Sequence, residues 1–202
     1  GDLILAALFL MIFLPFIFTE SLFDQYRDLN KAYPYILSFV KFFILASLGE
    51  ILGHRIKTGG YYLKGFGLIP RAIVWGFLGL SIKMAFVIFG QGAPHMLQTM
   101  GLNFPTDNPA DILETNFLTE GSWLQFLSAF TVSTTLNVFF APVFMTVHKI
   151  TDTHILMNKG KLLMCFRPIQ IRKIITEMNW SVQWNFVFKK TIPLFWIPAQ
   201  TV

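Results

Sequence analysis

Long runs of apolar residues recur along the chain, and polar connections separate them. They cover Leu3–Thr19, Tyr35–Gly53, Ile69–Gly90 and Trp123–Val147, and a further run begins after Lys190. A helix needs about 20 residues to cross roughly 30 Å of hydrocarbon. The pattern therefore predicts an all-α, polytopic membrane protein with four full transmembrane helices and the start of a fifth. We assign residues 1–202 to a single helical transmembrane domain and expect the chain to continue past residue 202.

The placement of basic residues supports these spans. The connections after the first and third runs hold 2 Lys or Arg residues in total, whereas those after the second and fourth hold 12. Such alternation follows the positive-inside rule, which puts basic connections on the cytoplasmic or matrix side. We therefore expect segments 54–71 and 149–190 on that side of a bacterial inner membrane or an organelle membrane.

Composition agrees with a chain dissolved in lipid. Hydrophobic residues make up 54% of the sequence and charged residues 13%, against about 25% charged in an ordinary soluble domain. The net charge of +5 does not indicate nucleic-acid binding, because the basic residues lie between apolar runs and not along one soluble face. Cys165 is the single cysteine, so the chain has no internal disulfide.

Polar residues inside the apolar runs are the candidates for a solute path. Counting 1.5 Å per residue from the basic ends places Lys41, Lys83 and Asn137 about 18–21 Å deep, at one shared level. An ammonium group there costs about 2.5–3.5 kcal/mol. We expect these three residues to line a wet path with Thr131 and Thr135. In the alternative reading, the lysines snorkel outward and the hydroxyls bond to carbonyls of their own helix.

Two further patterns lie in the second run. Ala46, Gly49 and Gly53 form a stripe of small residues, which predicts helix packing within the protein or against a partner. The partner would be a second copy or a larger membrane complex. Glu50 and His54 are four residues apart, so we predict a pair at the inner boundary, with a proton relay as the alternative.

Signals for metal binding and catalysis are weak. His148, Asp152 and His154 are the best candidate metal ligands, but no fourth ligand accompanies them. The sequence contains no nucleophile elbow, Walker loop, dinucleotide fingerprint or H-E-x-x-H motif. We therefore predict no metal, no cofactor, no catalytic residue and no enzymatic activity.

The end of the chain carries a resemblance to a known family. The stretch "NWSVQWNFVFKKTIPLFWIPAQTV" resembles the C-terminal region of Mpv17/PMP22-like membrane proteins, in the four-residue spacing of Trp196 and Gln200. Pro198 is displaced by one position from the usual place in that family. "FFAPVF", which contains Pro142, is similar to the Ala-Pro element of the family. The resemblance covers the last third of the chain and implies a polytopic helical protein that forms a small-solute channel.

These observations lead to two functional hypotheses. The first is a small-solute or ion channel, or a passive carrier, of the Mpv17/PMP22-like type that works within the lipid bilayer. The second is a non-catalytic accessory or structural subunit of a larger membrane complex, in which the 46–53 stripe is a contact surface.

Overall fold

The computed structural model of the chain describes residues 1–61, 64–115 and 121–181. These residues are helical and contain no strand, which confirms the all-α class. The helices are α1 Asp2–Phe18, α2 Glu20–Ala32, α3 Pro34–Thr58, α4 Leu68–Thr99, α5 Trp123–Met157, α6 Leu162–Cys165 and α7 Ile171–Glu177. A 3₁₀ turn covers Pro109–Leu113 in the connection between α4 and α5.

Within the described residues, α3, α4 and α5 are long and apolar enough to cross a membrane. In the most apolar window of each helix, only 11%, 28% and 11% of the residues are buried inside the protein. Apolar surface left in water costs about 25 cal/mol per Å², whereas lipid solvates it without that cost. The length and exposure of these helices are therefore those of membrane-spanning elements.

The count of spans differs from the sequence prediction of four and a fifth. The first predicted span becomes α1, whose 17 residues reach about 26 Å, short of the roughly 30 Å of hydrocarbon. The chain then bends by 85° after Pro15 and continues as the polar helix α2. The described residues thus give three spans, or four if the bent pair counts as one. The predicted fifth span lies outside the described residues.

Local sequence explains several helix ends. Pro34 occupies the first turn of α3, where a missing N–H removes no hydrogen bond, and Gly59 ends the helix with φ +77°. The Ser122 side chain caps α5 by accepting a hydrogen bond from the Gln125 backbone N–H at 3.1 Å.

Helix α5 contains one π-helical turn, Leu136–Phe140. Pro142 has no N–H to donate to the carbonyl four residues earlier, so the regular ladder is interrupted beside it. At the end of the turn, the Ala141 N–H bonds to the Leu136 carbonyl, five residues back.

The chain forms two compact units. The first consists of Gly1–Lys83 and Thr151–Ile169, and the second of Met84–Ile150 together with the chain from Gln170 onward. Helices α4 and α5 each contribute to both units.

In the first unit, α3 packs closely on α4 through glycines. A Cβ on Gly76 would lie 2.5 Å from the Phe39 ring, and one on Gly79 would lie 2.6 Å from the Phe42 Cβ. The Ser38 hydroxyl also donates a hydrogen bond to the Gly79 carbonyl at 2.8 Å. Close approach of the two backbones therefore requires glycine at both α4 positions.

Two basic connections meet in the same unit. The loop before α4 turns at Gly65 and Gly67, which have φ of +87° and +67°, and it touches the turn after α5 at Gly160. A Cβ on Gly67 would lie 2.7 Å from the Gly160 Cα. The sequence-predicted inner segments 54–71 and 149–190 are thus in backbone contact through these loops.

In the second unit, a small core joins α4 to α5. Buried Ala85 and Ala93 of α4 pack with Val132 and Leu136 of α5, and Phe89 lies against them. The 3₁₀ turn covers this region through the buried Pro109, Ala110 and Ile112.

Candidate functional site

A buried charge cluster in the first unit is the strongest polar feature of the structure. Arg71, at the start of α4, lies between the carboxylates of Glu50 on α3 and Asp152 on α5. The Arg71 Nη1 donates to Glu50 Oε2 at 2.7 Å and also contacts Asp152 Oδ1. The side chains are 9% exposed for Arg71 and 17% for each acid. One guanidinium therefore holds carboxylates from two other long helices.

Neighbouring groups complete the cluster. The Arg71 Nε donates to the Phe66 carbonyl at 2.7 Å, and the guanidinium lies 4.6 Å from the centre of the Phe66 ring. Trp75, one turn along α4, donates its indole N–H to Glu50 Oε1 at 2.6 Å. Both oxygens of Glu50 are thus hydrogen bonded.

The sequence pattern predicts a pair of Glu50 with His54, not a cluster with Arg71 and Trp75. The available signal was an acid inside an apolar run, which needs a partner, and a basic residue at the start of the next run. His54 lies with its Nε2 3.2 Å from the Thr58 hydroxyl and its ring 5.6 Å from that of Phe66.

The candidate metal ligands have other partners. Among the described residues, no group of three or more His, Cys, Asp or Glu side chains could hold a metal ion. Asp152 belongs to the Arg71 cluster. His154 is buried, and its Nε2 lies 3.2 Å from the Cys165 carbonyl. His148 also makes a contact of its own.

The two lysines inside the spans have different surroundings. Lys41 donates from Nζ to Asn30 Oδ1 at 3.1 Å and lies 5.7 Å from the centre of the Tyr26 ring, both on α2. Lys83 is half-buried near the middle of α4. In the part of the chain that the structure describes, no hydrogen bond or ion pair involves its ammonium. Within the described residues, Lys83 therefore lacks the kind of protein partner that Lys41 has.

On α5, the predicted path residues bond to their own helix. Thr131 donates to the Leu127 carbonyl at 2.7 Å, and Thr135 to the Thr131 carbonyl at 2.8 Å. Asn137 donates to the Ser133 carbonyl at 2.9 Å. These bonds agree with the alternative reading of the helix, in which polar side chains satisfy its own carbonyls.

Three other polar atoms of α5 are buried and have no hydrogen-bond partner among the described residues: Gln125 Oε1, Ser128 Oγ and Thr134 Oγ1. Ser128 is fully buried, and the Gln125 amide donates to the Thr115 carbonyl at 2.7 Å through its nitrogen alone. A buried polar atom without a partner costs about 1–3 kcal/mol. In the sequence, Gln125 and Ser128 recur with Thr131 and Thr135 at a spacing of three to four residues, which predicts a polar face, and Thr134 flanks it.

The small-residue stripe of α3 faces away from the rest of the chain. Gly49 and Gly53 are exposed, and a Cβ on either would meet nothing within 4 Å. Ala46 is half-buried. The glycines that pack α3 on α4 are those of α4, which sequence reasoning did not single out.

An apolar groove of about 410 Å³ lies between α1 and α3. At one end, Arg55 makes a two-point ion pair with Asp2, with N···O distances of 2.7 and 2.9 Å. Tyr61 donates to the same carboxylate, and this hydrogen bond raises the pKa of Tyr61. The start of α1 is thereby held at the end of α3, beside the basic connection that follows it.

The family motif residues Trp196, Pro198 and Gln200 lie outside the described residues. In comparisons with protein-family models, curated proteins and solved structures, the chain matches none. The resemblance to Mpv17/PMP22-like proteins therefore remains a sequence expectation.

Proposed function

We propose that this protein is an integral membrane protein through which small solutes cross passively, as a channel or carrier of the Mpv17/PMP22-like type. Lys83 carries the proposal. It is a half-buried ammonium on the most apolar of the long helices, without a partner in the described chain. Ionisable residues inside spans commonly mark solute pathways, and an unpaired cation attracts anions strongly where water is scarce.

Helix α5 supports the same proposal from the second unit. Gln125, Ser128 and Thr134 each bury a polar oxygen that no group of the described residues satisfies. Such atoms can replace part of the hydration shell of a polar solute. In this proposal, Lys83 selects the charge of the solute.

The test is anion permeability of the full chain in liposomes. Lys83→Met removes the ammonium and keeps an unbranched side chain of similar length. We expect anion permeability to fall by about tenfold. A unit charge about 4 Å from an anionic solute contributes about 1 kcal/mol at a dielectric constant of about 80 and about 4 kcal/mol at about 20. Lys41→Met is the matched control. Its ammonium is already bound to Asn30, so we expect permeability to stay within about twofold of the unchanged protein.

The proposal fails if the reconstituted protein conducts no anion or neutral solute. It also fails if Lys83→Met and Lys41→Met change permeability equally, because the unpaired charge would then have no special role.

The accessory-subunit hypothesis remains the second candidate, and the open glycine face of α3 favours it. Gly49 and Gly53 leave room for another helix to approach closely. On this hypothesis, Gly53→Leu releases a bound membrane partner or second copy in native mass spectrometry. Retention of the same assembly after that change counts against it.

We further propose that the basic connections lie on the cytoplasmic or matrix side. The positive-inside distribution supports this orientation.

A further inference from the structure

The short helix α6 exposes an unusually large apolar surface for a connection between helices. Leu163 is 86% exposed, Phe166 67% and Leu162 39%, whereas Met164 and Cys165 of the same turn are half-buried. Exposed apolar residues that cluster in this way mark contact surfaces.

Cations flank these apolar side chains on both sides. Lys159 and Lys161 precede them, Arg167 follows them, and all three are exposed. The sequence has no Asp or Glu between residues 153 and 176. The surface formed by residues 159–167, called here the interfacial segment, is therefore apolar at its centre and purely cationic at its rim.

Contacts with neighbouring loops and with α5 hold the backbone of the interfacial segment in place. The Gly160 backbone contacts the Gly67 turn. Lys159, the residue before it, has a left-handed backbone conformation with φ +52°. His154, in the last turn of α5, has its Nε2 3.2 Å from the Cys165 carbonyl. Because these contacts fix the backbone, Leu163 and Phe166 are presented outward without further ordering of the chain.

We infer that the interfacial segment binds anionic phospholipid headgroups at the membrane surface. Leu163 and Phe166 enter the boundary between headgroups and acyl chains, and Lys161 and Arg167 contact lipid phosphates. Apolar residues between cations are the pattern of segments that lie in this boundary. Leu163 is only six residues beyond Met157, where the membrane-spanning helix α5 ends, so the surface lies near one leaflet. This inference depends on α5 crossing the membrane and not on solute conduction.

The experiment uses the full chain reconstituted in vesicles. Cys165→Ser removes the single cysteine, and Leu163→Cys in that background carries an environment-sensitive fluorophore. Quenching by nitroxide-labelled lipid is measured in phosphatidylcholine alone and in phosphatidylcholine mixed with phosphatidylglycerol. We expect stronger quenching and a blue-shifted emission in the anionic vesicles.

A matched pair of charge variants tests the role of the cations. K161Q/R167Q should lower the ratio of lipid-quenched to water-exposed label by about fivefold for each cation removed. R27Q/K31Q removes two exposed cations of α2 and should leave the ratio unchanged.

Three results overturn the inference. In the first, the label reports water in both vesicle types. In the second, quenching is independent of lipid charge and of the K161Q/R167Q substitutions. In the third, the emission of the label shifts to the blue as protein density increases, without quenching by lipid. That result would show that the surface binds a protein. All of these readouts are independent of solute conduction.

Discussion

At the residue scale, we expect the loss of Arg71 to destabilise the protein strongly, because its guanidinium binds groups on both other long helices. Removing it leaves the Glu50 and Asp152 carboxylates facing each other without a counter-charge in a poorly solvated site. Breaking a buried ion pair by removing one partner costs about 3–5 kcal/mol.

We therefore expect Arg71→Gln to lower the free energy of unfolding of the detergent-solubilised protein by about 3–5 kcal/mol. Titration with a denaturing detergent, followed by circular dichroism, measures this change. Arg27→Gln is the control, because the exposed Arg27–Asp24 pair at 2.9 Å should contribute less than about 1 kcal/mol. Equal losses for the two variants would contradict the role of Arg71.

The thiol of Cys165 provides a second prediction at this scale. Burial raises the pKa of Cys165, and only the thiolate reacts with alkylating agents. The rate of iodoacetamide alkylation of Cys165 should therefore begin to rise at a higher pH than the rate for an exposed cysteine. The comparison is Asn103→Cys in a Cys165→Ser background, measured by mass spectrometry between pH 7 and 10. Identical pH profiles for the two cysteines would show that burial does not raise the pKa of the Cys165 thiol.

At the scale of the element, two pairs of glycines have opposite roles. Gly79 of α4 faces Phe42 of α3, where a Cβ would overlap the neighbouring Cβ at 2.6 Å. Gly49 of α3 has open space around it. A methyl group added at the first position must separate two packed helices, whereas at the second it only favours helical backbone.

We expect Gly79→Ala to destabilise the protein by about 1–3 kcal/mol through overpacking. Gly49→Ala should be neutral or stabilising by up to about 1 kcal/mol, because alanine loses less backbone entropy in a helix. Thermal unfolding in one detergent compares the two. Destabilisation by Gly49→Ala of the same size would indicate that the α3 face is already packed.

The sequence alone predicts the long helices well, for a physical reason. Runs such as Tyr35–Gly53 are apolar on all sides, and lipid solvates every face, so hydropathy identifies α3, α4 and α5 without tertiary information. Hydropathy fails where a helix continues into polar sequence. It therefore ends α4 at Gly90 instead of Thr99 and counts α1 as a full span despite the bend that follows.

The side-chain pairs were harder to predict than the helices. Glu50 and Arg71 are 21 residues apart, and three glycines with positive φ lie between them: Gly59, Gly65 and Gly67. Asp152 is far from both in the chain. Such pairings depend on the crossing of helices, which the charge pattern of one sequence does not contain. The same limit explains why Lys41 and Lys83 looked equivalent until α2 supplied a partner for Lys41.

At the scale of the whole molecule, the account depends on three membrane-spanning helices with alternating ends. Two independent observations place the connections around residues 65 and 160 at one end. The basic residues are concentrated there, and the Gly67 and Gly160 backbones touch. The acidic connection after α4 should then lie across the bilayer, because α5 separates it from the interfacial segment.

Cysteine accessibility in sealed vesicles tests this arrangement most directly. Single cysteines replace the exposed residues Lys64, Lys161 and Asn103 in a Cys165→Ser background, and a membrane-impermeant maleimide is added from one side. We predict that positions 64 and 161 react from the same side and that position 103 reacts only from the other. Labelling of all three positions from one side would contradict the membrane-spanning account.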